Sequence, residues 1–147
     1  MPDPSAPPAT APPDLRAAAL YGAGVAPLGA GLWIGATALD VQAGLLAVAI
    51  FAGWLIGTTT TAGAWRGAAR GRDRRVTLLA LTAAGAAWLT AQAGGYLYQM
   101  ATTPGATTTL GERIATTSIL DFYAQQASPL DALALAVLLA VAAWSAR

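Results

Sequence analysis

The sequence predicts an all-α integral membrane protein, a four-helix bundle with a proline-rich N-terminal arm. Hydrophobic residues make up 56% of its 147 residues and charged residues only 10%, whereas water-soluble domains carry about 25% charged residues. The mean hydropathy is +0.53. The apolar residues lie in four long runs, and about 20 helical residues are needed to cross the ~30 Å hydrocarbon layer of a bilayer.

Residues 1–16 form the predicted arm. Six of the nine prolines lie within the first 14 residues, a composition that favours polyproline II and buries no core. Because ordering the backbone of one residue costs about 1–2 kcal/mol, the isolated arm is expected to be disordered. We therefore expect an ordered arm to lie on a partner chain, with Asp3 or Asp14 near basic groups of that chain.

Residues 17–147 form the predicted transmembrane domain. The four predicted spans cover residues 17–39, 41–64, 76–100 and 129–145. The start of the last span is the best defined, because Ser128 suits an N-cap, Pro129 the first helical position and Asp131 the first turn.

A short extramembrane helix is predicted at about residues 110–125, between the third and fourth spans. Thr109 and Glu112 have the spacing of a capping box. An apolar side that includes Leu110 and Ile114 is expected to lie on the membrane surface or on the bundle.

A basic loop joins the second and third spans. It holds five of the eight arginines of the chain: Arg66, Arg70, Arg72, Arg74 and Arg75. The positive-inside rule places this loop in the cytoplasm, and alternation of the spans then places both termini there. Trp65 and Trp144 fall near the cytoplasmic helix ends, where aromatic side chains line the membrane interface.

Small and neutral polar residues within the spans predict close packing between helices. Glycines spaced four apart let helix backbones approach each other, and amide side chains in apolar spans usually bond between helices. The residues assigned to this role are Gly31, Gly35, Gly53, Gly57, Gln92 and Gln99.

The composition excludes several classes of function. The chain has no His, Cys or Lys, so it lacks the usual ligands of haem, iron–sulfur clusters and zinc and cannot form a Schiff base. A net charge of +1 argues against binding to nucleic acid. We predict no catalytic or metal-binding residues and no cofactor. A lipid or pigment between the helices would have to bind without His or Cys ligands.

Several segments resemble a broad group of uncharacterised bacterial membrane proteins with four transmembrane helices. The segments are Gly-Ala-Gly-Leu-Trp-Ile at 29–34, Gly-Leu-Leu-Ala at 44–47, Gly-Trp-Leu-Ile-Gly at 53–57 and Ser-Pro-Leu-Asp at 128–131. Some members of that group carry a zinc-ribbon domain, which this cysteine-free chain lacks. The resemblance covers about residues 22–146 and implies a four-span protein of the bacterial cytoplasmic membrane. It implies no particular activity.

Two functions from different classes remain open at this point. The first is a non-catalytic accessory or scaffold subunit that packs against other membrane proteins, which fits the small-residue helices and the absence of charge within the spans. The second is a small homo-oligomeric channel or carrier, in which the threonines at 58–61 would line a pore formed by several copies. In both cases the lipid bilayer is the surrounding partner.

Overall fold

The computed structural model describes residues 12–39, 42–66, 70–103, 107–126 and 128–147, and its regular elements are all helices. This confirms the predicted all-α class. Most of the arm, including Asp3, lies outside the described residues. The helices are α1 (Leu15–Ala38), α2 (Gln42–Ala64), α3 (Arg74–Thr102), α4 (Leu110–Thr116), α5 (Ile119–Gln126) and α6 (Pro129–Ser145).

Three of these helices, α1, α2 and α3, are long and apolar enough to cross a membrane. A fourth crossing is obtained if α5 and α6, which meet at 104°, are counted as one bent span. Helix α6 alone has 17 residues, or about 26 Å of helix, slightly less than the hydrocarbon thickness. The chain is therefore a membrane protein with three or four helices able to span the bilayer.

Capping side chains define where the long helices begin. The Asp14 carboxylate accepts a hydrogen bond of 3.0 Å from the Ala17 amide at the start of α1. Ser128 and Asp131 form a reciprocal capping box at the start of α6, with Pro129 in the first turn, which confirms the cap predicted there. These caps supply acceptors for amides that have no partner within the helix.

The prediction of one helix over residues 110–125 is wrong, because the segment is broken into α4 and α5. Thr117 has an extended backbone (φ −106°, ψ 110°) and ends α4. Its carbonyl accepts a 2.7 Å hydrogen bond from the Tyr96 hydroxyl. In the run of residues 116–118, Thr-Thr-Ser, side-chain hydroxyls compete for backbone hydrogen bonds and favour such a break. Leu110 and Ile114 remain exposed rather than facing the other helices.

The four longest helices, α1, α2, α3 and α6, pack side by side. Helix α2 contacts the other three, and α3 contacts both α1 and α6. The core between them is built mainly of alanine, joined by Trp33, Leu45, Ile56 and Leu138. Because alanine side chains are short, the helix backbones lie close together.

A smaller cluster closes the end of the helices next to the arginine loop. It consists of Ala18, Ala64, Trp65 and Val76, and the Asp14 amide donates to the Ala64 carbonyl at 2.8 Å. Trp65 is only 6% exposed. It therefore packs inside the protein, and the prediction that its side chain lies in the membrane interface is corrected here.

Candidate functional site

A cavity of about 380 Å³ lies at the end of the helices opposite the arginine loop. Residues from α1, α3, α5 and α6 line it. The chain has five tryptophans, four tyrosines and two phenylalanines, and six of these side chains are in the cavity wall: Trp33, Trp88, Tyr96, Tyr98, Phe122 and Tyr123.

Helix α3 provides the longest wall of the cavity. Trp88, Gln92, Tyr96 and Gln99 all line it, and their spacing of four, four and three residues places them on one face of the helix. Trp88 lies 13 residues beyond Arg75, or about 20 Å along the helix axis, and Gln99 about 36 Å. The cavity thus extends from well within α3 to its far end.

Helix α5 covers the cavity through its aromatic residues. The rings of Tyr96 and Phe122 meet edge to face, with centroids 5.1 Å apart, and the rings of Phe122 and Tyr123 do so at 5.5 Å. Such pairs contribute roughly 0.5–1.5 kcal/mol beyond the burial of their area. With the Tyr96 hydrogen bond to Thr117, they hold α5 against α3.

Two residues of the cavity wall carry buried polar atoms without a hydrogen-bond partner: Nε1 of Trp88 and the hydroxyl of Tyr123. The Tyr123 hydroxyl is a donor, because tyrosine is protonated at neutral pH. A buried donor that makes no hydrogen bond costs about 1–3 kcal/mol. Both atoms belong to side chains of the cavity wall but have almost no accessible surface themselves, so a bound molecule satisfies them only after a small rotation of the side chain.

Asp131 is the acid in the cavity wall, but its carboxylate is already engaged. One oxygen accepts from the Ser128 amide at 3.0 Å and from the Ser128 hydroxyl at 2.8 Å. Within the described ranges, no three His, Cys, Asp or Glu residues lie close enough together to hold a metal ion. The arrangement suits non-covalent binding of a small aromatic or apolar molecule.

The four glycines assigned to helix packing fall into two groups. A methyl group added at Gly53 would lie 2.6 Å from the Leu138 carbonyl oxygen, and one added at Gly57 would lie 2.6 Å from that of Ala142. Both glycines therefore lie at the contact between α2 and α6. A methyl group added at Gly31 or Gly35 would have no atom within 4 Å outside its own helix backbone, so within the part of the chain that the structure describes these two glycines pack against no other helix.

Gly24 shares this outward face of α1 with Gly31 and Gly35, and it is equally open. The three glycines lie opposite the buried residues Gly22 and Gly29. Leu20 and Leu28, exposed to 70% and 62%, flank them. The outward face of α1 therefore has a shallow groove at its centre.

The remaining residues to which the sequence assigned a role lie either at the ends of the packed helices or in the wall of the cavity. Trp144 is 72% exposed at the end of α6, and the five arginines of the basic loop are all exposed. Gln92 and Gln99 line the cavity, and their role in helix packing stays a prediction. The Asp14 carboxylate caps α1, and its contact with a partner also remains a prediction.

The threonines at 58–61 use their hydroxyls within their own helix. Each hydroxyl donates to the carbonyl four residues earlier, at 2.7–2.9 Å. Thr60 and Thr61 are also buried. This segment therefore satisfies its own polar groups, as a helix in lipid must.

Sequence reasoning missed the cavity as a site. Its aromatic residues come from three helices and are separated by up to 90 positions along the chain, so no local motif marks them. One signal was present: Trp88, Gln92, Tyr96 and Gln99 place aromatic and amide side chains on one face of an otherwise apolar helix. Comparisons with protein families, with curated proteins and with solved structures find no match for this chain.

Proposed function

We propose that this protein is a non-catalytic accessory subunit that packs against another integral membrane protein in a larger complex. We further propose four spans in a bacterial cytoplasmic membrane, with the arginine loop and both termini in the cytoplasm. The lack of His, Cys and Lys in the sequence supports the absence of catalysis. The resemblance to bacterial four-helix membrane proteins supports the location.

The observation that carries the proposal is the glycine groove on α1. A glycine costs roughly 1 kcal/mol relative to alanine within an exposed helix, and among the described residues nothing lies within 4 Å of a methyl group added at Gly24, Gly31 or Gly35. Gly53 and Gly57 have the same spacing and let α6 approach α2 closely. The groove on α1 is therefore suited to receive one more helix in the same manner.

We assign this groove to a transmembrane helix of a different protein. Helix α1 begins at Leu15, within the last two residues of the arm, so a partner seated along α1 would also be next to the arm. One partner could then occupy the groove and contact the arm together. The alternative is that a second copy of this chain occupies the groove. Crosslinking distinguishes the two occupants.

The experiment is site-specific crosslinking in cells. A photoreactive residue at Leu28, beside the groove, is compared with one at Leu89 on α3, since the two positions are 62% and 63% exposed. We expect Leu28 to crosslink to one defined membrane protein that also co-purifies in stoichiometric amount, and Leu89 to give no such product. Crosslinks from Leu28 to a second copy, or none at all, would contradict the assignment.

A matched pair of variants tests the same contact without crosslinking. Replacing Gly31 and Gly35 together with leucine should lower recovery of the partner about tenfold or more, equivalent to at least ~1.4 kcal/mol. Gly85→Leu on α3, another glycine with nothing within 4 Å, is the control and should leave recovery unchanged. Equal recovery from both variants would count against the groove.

The second candidate function is a small homo-oligomeric channel or carrier, which would use the groove between copies of this chain. The groove on α1 suits a second copy of this chain as well as it suits a different protein. The hydroxyls at 58–61 do not favour a pore, because they are bonded within their own helix. Flux of ions or small solutes through liposomes that contain only this chain would support this alternative.

A further inference from the structure

The cavity at the far end of α3 has the chemistry of a small-molecule site. Its volume of about 380 Å³ is near the lower end of the 300–1,000 Å³ range of ligand pockets. Six aromatic side chains from three helices line it. A planar ring fits such a wall, because aromatic rings stack favourably on one another or meet edge to face.

The unpartnered polar atoms of the wall specify hydrogen-bond acceptors on the bound molecule. Nε1 of Trp88 is a donor only, and the protonated Tyr123 hydroxyl is a donor as well. Neither has a hydrogen-bond partner among the described residues. A carbonyl oxygen is an uncharged acceptor that can meet either donor.

A cation would not satisfy the donors of the wall, because it brings no hydrogen-bond acceptor to Nε1 of Trp88 or to the Tyr123 hydroxyl. A neutral molecule with carbonyl oxygens supplies an acceptor to each. The Asp131 carboxylate is directed to Ser128, from which it accepts two hydrogen bonds.

We propose that this cavity binds a quinone, a planar uncharged ring that carries two carbonyl acceptors, and that Trp88 and Tyr123 donate to those carbonyls. The cavity lies along α3 from about 20 Å beyond Arg75 to the helix end, so part of it falls within the ~30 Å that the hydrocarbon layer spans. The site goes beyond the proposed packing function and does not depend on a partner chain.

The test is a titration of the full chain in nanodiscs of ether-linked phosphatidylcholine, which has no ester carbonyls. A short-chain benzoquinone is the probe, and tryptophan fluorescence is the readout because Trp33 and Trp88 line the cavity. We expect saturable quenching with one quinone per chain. Quenching that rises linearly without saturation would show partitioning into lipid only and would overturn the proposal.

Two variants assign the binding to the donors. Tyr123→Phe should weaken binding about tenfold, because it removes a hydroxyl and leaves the ring. Tyr21→Phe is the matched control and should leave binding unchanged, since Tyr21 lies at the opposite end of α1 beneath the Arg66 guanidinium, 5.0 Å from ring centroid to Cζ. Equal binding by both variants would contradict the assigned role of Tyr123.

Trp88→Phe gives an independent measurement of quinone affinity. Trp33 remains as the fluorescent reporter in the cavity, and thermal unfolding verifies that the variant folds. Its affinity for the quinone should also fall about tenfold. An ester carbonyl of a lipid shares the acceptor chemistry but does not quench tryptophan fluorescence, so the quinone titration is repeated in nanodiscs of ester-linked phosphatidylcholine. Loss of the saturable quenching in the ester-linked lipid would show that lipid occupies the site, and reversal of the quenching by tetraethylammonium would show that a cation does. Either result would overturn the proposal.

Discussion

At the scale of single residues, glycines that touch another helix and glycines that face outward should respond in opposite ways to an added methyl group. Gly53→Ala places its methyl group 2.6 Å from the Leu138 carbonyl oxygen. A backbone atom cannot rotate away, so the helices must separate. We expect a loss of about 1–3 kcal/mol in the free energy of unfolding, measured by denaturant titration in mixed micelles.

Gly31→Ala is the matched control for this prediction. It has open space for its methyl group and should gain up to about 1 kcal/mol from the better helix propensity of alanine. A Gly53→Ala variant as stable as Gly31→Ala would show that α2 and α6 are not in close contact.

A second prediction at this scale concerns Glu112 in the capping box of α4. Two hydrogen bonds lower the pKa of Glu112 below its usual 4.5. The larger effect comes from the Thr109 amide and the smaller from the Thr109 hydroxyl. Because the folded-state pKa is lowered, the stabilisation of α4 is fully present above pH 4.5 and is lost as the pH falls through the folded-state value. Hydrogen exchange of α4 amides, corrected for intrinsic rates, should therefore accelerate on acidification.

Glu112→Gln separates this titration from general effects of acid. Glutamine keeps an oxygen that can accept from the Thr109 amide but carries no titratable group. The acid-dependent part of the exchange should therefore disappear in this variant. Identical acid dependence in both proteins would assign the effect to another group.

At the scale of helices, the sequence predicts the long elements well, because their signals are local. The start of α6 follows from Ser128, Pro129 and Asp131 alone, and all three have the predicted roles. The predicted bounds of the four long helices lie within two residues of those observed.

The outward direction of Gly31 and Gly35 could not be predicted, because a four-residue spacing fixes a helix face and not its neighbour. The break between α4 and α5 was missed for a related reason. It is stabilised by Tyr96 of a distant helix, whose hydroxyl bonds the Thr117 carbonyl. The cavity was missed because it forms only when α1, α3, α5 and α6 come together.

Tyr96→Phe tests how strongly the hydrogen bond between Tyr96 and Thr117 holds α4 and α5 in place. The variant loses the 2.7 Å hydrogen bond to Thr117 and keeps the ring that meets Phe122. We expect a loss of about 0.5–1.5 kcal/mol, seen as faster hydrogen exchange in α4 and α5 with α1 and α2 unchanged. Unaltered protection of α4 and α5 would show that ring packing alone anchors them.

At the scale of the whole molecule, the arginine loop is predicted to set the orientation in the membrane. The chain has no cysteine, so a single cysteine introduced at Gly71, in the loop, gives a label without background. It should react with an impermeant reagent only after the cytoplasmic side is exposed. Replacing Arg70, Arg72 and Arg74 together with glutamine should mix the two orientations, whereas any one replacement should not.

Labelling of the loop cysteine from outside intact cells would contradict this orientation. A second cysteine at Leu110, on the other side of the membrane under the four-span topology, should show the opposite accessibility. Accessibility of both positions from the same side would show that α3 does not cross the bilayer.

The last prediction concerns the contribution of the arm to assembly of the complex. Deleting residues 2–13 keeps Asp14, whose carboxylate caps α1 and whose amide bonds the Ala64 carbonyl, so the deleted chain should insert and fold normally. Ordering an arm of this length costs roughly 1–2 kcal/mol per residue, somewhat less for proline because its φ is already fixed. An extensive surface on a partner is needed to offset that cost, and its loss should weaken assembly.

Asp14→Ala is the complementary variant, because it removes the cap and leaves the arm. It should lower the free energy of unfolding by about 1 kcal/mol. The deletion keeps the cap and should leave thermal unfolding unchanged while it reduces partner recovery. If the deleted chain retains its partner at full stoichiometry, the arm has no part in assembly, and the groove on α1 must hold the complex by itself.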